Sequence, residues 1–158
     1  MSSSESKNED YIFDVANYFL SKESMSPKKL QKILYFAYAW FLYLNSDDIE
    51  HINTLFAEKP QAWVHGPVFK RIYDKYKGYK WNNIPKFTKE IKSIDDNTRR
   101  LLDKIWEKYG EFEADELEVV THREDPWRKA REGVGALEIS NREIDDKDIF
   151  VYYEQIAR

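Results

Sequence analysis

The chain contains no cysteine, so neither a disulfide framework nor thiolate chemistry is open to it, which fits a reducing compartment. It also lacks a membrane-length apolar run. The longest uninterrupted apolar or aromatic stretch, Ile33 to Leu44, is twelve residues, against about 20 for a helix that spans a bilayer. Met1 to Asp10 is rich in serine and glutamate and has no apolar centre, so no secretory signal is expected. The three histidines, His51, His65 and His122, are far apart in sequence, and no His-Glu-x-x-His pattern occurs; no metal and no cofactor are expected. Gly133-Val134-Gly135 lacks both the lysine and the strand–turn–helix setting of a phosphate loop. A formal net charge of −4 counts against a general polyanion binder, so nucleic acid is not the expected partner. The absences point to a cytoplasmic protein that does not enter a membrane.

What is present indicates a well-packed interior under a solvated surface. Aromatic residues make up 16% and charged residues 34% of 158 positions, a length suited to one domain with its own core. After a tail over residues 1–10, the domain is expected to run from 11 to 158. Ile12, Val15, Ala16, Phe19 and Leu20 follow helical spacing. Ser26-Pro27 reads as an N-cap followed by proline at the first helical position. It opens a long helix over about 27–45 with Leu30, Ile33, Leu34, Ala37, Phe41 and Leu44 on one stripe. Tyr35, Phe36, Tyr38, Trp40 and Tyr43 occupy its other faces, and a helix apolar nearly all round belongs at the centre of a fold.

Further helices are expected in five places. One starts at Gly66-Pro67, carries Phe69, Ile72, Tyr73 and Tyr76 inward, and ends near Gly78. A second follows a cap at Asp95 or Asp96, with Leu101, Leu102, Ile105, Trp106 and Tyr109 buried and Gly110 at its end. A third runs from about Ala114 with Leu117, Val119 and Val120 on its inner side. A short one starts at Pro126-Trp127. The last is capped by Asp145 or Asp146, with Ile149, Tyr153 and Ile156 inward. Leu55-Phe56 reads as a brief strand or a buried anchor, and Leu137 to Ile139 as a brief strand. The fold class is mainly α: a single compact multi-helix domain around one central hydrophobic helix, with at most a small β ribbon.

Four segments in order carry a resemblance. They are Lys29-Leu30-Gln31-Lys32-Ile33-Leu34-Tyr35; Leu55-Phe56 with Ala62-Trp63-Val64-His65-Gly66-Pro67-Val68; Thr121-His122-Arg123-Glu124-Asp125-Pro126-Trp127; and Ile139 with the closing helix. Their order and spacing, over roughly residues 11–155, resemble the Panacea domain of SocA-like antitoxins. The resemblance implies a fold without a catalytic centre. It also implies the antitoxin role in a type II toxin–antitoxin pair, in which the chain neutralises a cognate toxin protein, encoded by the adjacent gene, by direct binding; phage-associated members are also common. With about ten residues before the domain, no helix-turn-helix unit is expected, and operon repression would need another protein.

Most motif residues read first as architecture. Gly66-Pro67 permits a tight turn and then fixes φ, and Trp63 is expected as a core anchor whose indole N–H needs an acceptor. His122 is expected at a helix C-terminus, bonding exposed carbonyls or Glu124, with Thr121 bonding its own helix backbone. The candidate toxin interface is drawn from two features. Glu111 to Asp125 holds seven acids against one arginine, and Glu113, Asp115, Glu116 and Glu118 would suit a basic toxin. Tyr79 and Trp81, beyond a helix end, are candidate exposed anchors, which would also allow self-association. Two alternatives belong to other classes: a regulator binding RNA or single-stranded DNA through the basic and aromatic segment 69–81, and an enzyme using His122 with Glu124.

Overall fold

The computed structural model describes residues 9–158, and the first eight residues of the expected tail lie outside them. Seven helices are present among the described residues: α1 (Tyr11–Lys22), α2 (Pro27–Asn45), α3 (Lys70–Tyr76), α4 (Asp96–Tyr109), α5 (Ala114–His122), α6 (Asp125–Ala130) and α7 (Asp146–Ile156). One antiparallel hairpin, β1 (Gln61–Trp63) and β2 (Gly66–Val68), is inserted between α2 and α3. Among the described residues no helix is long and apolar enough to cross a membrane.

α2 is the axis of the fold. Ser26 caps it by accepting from the Lys29 N–H at 3.2 Å, and Pro27 supplies a preset φ where no N–H is needed. Leu30, Ile33, Leu34, Tyr35, Phe36, Ala37, Tyr38 and Leu42 are all fully buried. The surrounding elements are α1, α3, α4, α5, α7 and β2. Each large aliphatic side chain so enclosed contributes about 1.5–3 kcal/mol. The polar tips of α2's aromatics reach specific acceptors: Tyr38 donates to Asp146 at 2.7 Å and Trp40 to the Tyr109 hydroxyl at 3.0 Å. Tyr109 in turn stacks on Phe36 with centroids 4.0 Å apart.

The other helix starts are set locally. Asp95 accepts from the Thr98 N–H at 2.7 Å to open α4, and Asp145 accepts from the Lys147 N–H at 2.8 Å to open α7. Glu113 and Glu116 form a reciprocal capping box on α5. Leu55 and Phe56 are buried anchors and form no strand.

Several expectations need correction. Pro67 does not begin a helix; it lies in β2 opposite Ala62, and α3 starts at Lys70 with Phe69 as its N-cap. The turn Val64-His65 closes a hairpin, and pairing of Trp63 with Gly66 holds the chain extended for three residues. Phe69, Ile72 and Tyr76 are buried as expected, but Tyr73, at the edge of their stripe, is exposed and lies against Trp63, centroids 4.8 Å apart. Leu137 and Ile139 form no strand and are 85% and 90% exposed. The free edge of β1 is met instead by Arg142 and Glu143, with Ala62 N–H donating to the Arg142 carbonyl at 2.8 Å. Val119, Val120, Leu44 and Ile156 are exposed as well, the last two in the final turns of their helices, beyond the reach of a packing neighbour. Of the expected tail, Glu9 and Asp10 are held to the domain by Arg71, which donates to the Glu9 carbonyl and, at 3.0 Å, to the Asp10 carboxylate.

Candidate partner-binding site

Three of the four sequence segments meet in space where α2, the hairpin and α5 cross. Gln31 bonds both ways to one backbone residue: its amide donates to the Phe69 carbonyl at 3.1 Å, and its oxygen accepts from the Phe69 N–H at 2.8 Å. Lys32, one residue on, is buried and donates to the Pro67 carbonyl at 3.3 Å. Burial, aided by repulsion from Lys28, lowers its pKa to about 7. Gly66 lies against this amine at φ +110°, and Thr121 closes the other side while its hydroxyl donates to the Glu118 carbonyl at 2.8 Å.

The third segment ties α6 to the hairpin. Trp127 donates its indole N–H to the Trp63 carbonyl at 2.9 Å. Arg131 donates to the Ala62 carbonyl at 2.8 Å and also to the Gly135 and Glu138 carbonyls, fastening the following loop. Trp63 itself is half-buried; its indole finds the acceptor it needs in Gln61, at 2.8 Å.

Of the two kinds of partner expected for His122, it takes not Glu124 but the backbone, bonding Val64 of the hairpin turn. Its ring stacks on Trp127 at 4.1 Å, and its Nε2 stands 3.8 Å from Glu118, too far for a hydrogen bond. Burial pushes its pKa down, so the ring is neutral at physiological pH. Glu124 points the other way into the core, where it accepts from Tyr35 at 3.0 Å and Tyr153 at 2.8 Å. Burial raises its pKa to about 7. Its native value stands above the 4.5 of the unfolded chain, so the cost of burying the ionised form is absent below pH 4.5 and complete above pH 7. Glu124→Gln is therefore expected to be more stable than the wild type at pH 8, by up to about 3 kcal/mol. That difference should vanish as pH falls to 4.5, as read by urea denaturation at each pH.

The expected acidic patch is largely engaged within the molecule. Glu118 is the hub: although partial burial opposes it, bonds from Lys28 and His65 hold its carboxyl below the usual range. His65 stands 3.1 Å from it, within hydrogen-bonding distance, whereas His122 does not reach it. Asp115 pairs with Lys28 at 2.7 Å, and Glu113 and Glu116 serve the helix cap.

Beside this junction lies a cavity of about 390 Å³, bordered by Lys28, Lys32, Trp63, Tyr73, Lys77 and Lys80 among others. Sequence reasoning passed over Lys77 and Lys80 as an ordinary solvated face. The tight turn after α3 brings them to the cavity, and no sequence signal marks where that turn folds back. Tyr79 is 38% and Trp81 82% exposed on the same turn.

The sequence profile of the family described as "Antitoxin SocA-like, Panacea domain" matches residues 30–128, more than half of the chain. The matched span contains the three converging segments from Leu30 onward and ends just after Trp127. Among the curated proteins and among the solved structures, nothing matches the chain.

Proposed function

This chain belongs to the SocA-like antitoxin family, through its Panacea domain, and from that premise we propose that it neutralises a cognate toxin protein by binding it directly. Family membership is the observation that carries the reading. The surface around the motif junction supports it, because an exposed tryptophan, Trp81, and an aromatic-lined cavity are features enriched where proteins meet. In this reading the chain is no enzyme. The motif residues Leu30, Gln31, Lys32, Tyr35, Trp63, Gly66, Pro67, Val68, His122, Pro126 and Trp127 act by holding the binding surface in shape, since they bond or pack against one another and the core.

The test is co-expression with the product of the neighbouring gene. That product alone should arrest growth; the pair should restore it, and a tag on the neighbour should retrieve both proteins as one stoichiometric species on a sizing column. A neighbour that is harmless alone, or that stays toxic beside this chain, overturns the reading.

A further inference from the structure

We propose that the cavity between α2, the hairpin and the turn after α3 receives an acidic side chain of the toxin, with Lys77 and Lys80 as its charge partners and Trp81 as an adjacent anchor. This rests on the antitoxin reading and gives the partner's chemistry, which is the reverse of what the acidic segment of the sequence suggested.

Charge is the first observation. The acids near the junction are already matched: Glu118 and Asp115 hold Lys28 and His65, and Asp74 holds Lys70 at 2.6 Å. Among the neighbouring cations, Arg71 is engaged by Asp10 and Glu58, and Lys75 lies over Phe13 at 5.1 Å. Lys77 and Lys80 both border the cavity and form no salt bridge among the described residues; Lys77 lies over the Tyr73 ring at 5.9 Å and only lends its charge to Asp74, which Lys70 already holds. A partner must therefore bring negative charge here to be complementary.

Backbone conformation is the second. Lys80 sits at φ +57°, ψ −118°, the only non-glycine residue with positive φ among those described. A side chain in that region is strained, and such strain collects where a loop is held for contact. The exposed Trp81 is the next residue after this cavity-lining lysine. The cavity wall is the third: Trp63 and Tyr73 supply apolar surface on which the stem of a glutamate or a flanking apolar residue can lie.

The same lysines and tryptophan are less suited to nucleic acid. A polyphosphate needs a track of cations, whereas this site has two without a salt bridge, with Asp74, Asp115 and Glu118 close by and a net charge of −4 on the whole chain.

The experiment measures affinity for the cognate toxin by calorimetry at two salt concentrations, using the full chain. Lys77→Glu with Lys80→Glu is expected to weaken binding at least tenfold and to flatten its salt dependence; Trp81→Ala should also cost at least tenfold. Lys89→Glu with Lys92→Glu, the same charge change at exposed positions elsewhere, should change it less than twofold. Circular dichroism and melting of all variants should match the wild type, since every altered side chain is exposed. Wild-type affinity in the Lys77/Lys80 variant overturns the inference and leaves the antitoxin reading standing. Tight binding of a single-stranded oligonucleotide lost in that same variant also overturns it. If the wild type binds no toxin at all, the reading and the inference fall together.

Discussion

Gly66→Ala is expected to lose about 2–6 kcal/mol of stability, enough to unfold a substantial fraction of a marginally stable domain at 37 °C. Two costs add. At φ +110° an alanine is held in backbone territory that side chains rarely adopt, worth about 1–3 kcal/mol. Its methyl would then stand 2.7 Å from Lys32 Cε and 2.8 Å from Thr121 Oγ1, an overpacking that costs about 1–3 kcal/mol more. Neither neighbour can move freely, because Lys32 is tied to the Pro67 carbonyl and Thr121 to the Glu118 carbonyl. Urea denaturation supplies the number. Repeating the substitution in a Lys32→Ala background separates the causes: the part due to collision with Lys32 should disappear, and the part due to Thr121 and the backbone remain. Unchanged stability of Gly66→Ala would mean that the hairpin does not turn this way.

Lys32→Met should act in the opposite direction, raising the midpoint of thermal unfolding by about 6–12 °C at pH 7. Methionine keeps the length and apolar stem and removes the buried amine. The amine titrates at 10.5 when unfolded and at about 7 in the fold, so the native state holds its proton more weakly. The penalty is complete below pH 7, fades by about 1.4 kcal/mol per pH unit above it, and is gone by pH 10.5. Its full size is about 4–5 kcal/mol, against which the lost bond to Pro67 is worth about 1 kcal/mol. Measured as the difference between variant and wild type, the advantage of methionine should be largest at pH 6–7 and much reduced at pH 9. A destabilised Lys32→Met, or an advantage that does not change with pH, would show that the amine is solvated in the native protein.

The helices were readable from the sequence wherever a local device starts them or one stripe of apolar residues defines them. Ser26-Pro27, Asp95 and Asp145 all act within three or four residues, so their effect depends on nothing distant. The all-round apolarity of residues 27–45 placed α2 at the centre for the same reason: such a surface has to be covered on every side.

The ends of elements and the hairpin were not readable. Leu44, Val120 and Ile156 fit the helical stripes but lie where no other element arrives, and a stripe does not say how far its cover extends. Pro67 suits the first position of a helix or the second residue of a short strand equally well. What decided between them was pairing of Trp63 with Gly66 and the grip of Gln31 on Phe69, a residue 38 positions away.

The site divides along the same line. Sequence alone determined the family, the central helix and the residue types of the motifs, because order and spacing along the chain are themselves sequence properties. Only the tertiary structure decided that Glu124 is buried between Tyr35 and Tyr153, that His65 pairs with Glu118 while His122 stacks on Trp127, and that Lys77 and Lys80 line a cavity without a salt-bridge partner. Burial and charge pairing depend on which distant segments come within a few ångströms. A Coulombic or desolvation energy is set by that distance and by the surrounding dielectric, and neither quantity exists until the chain has folded.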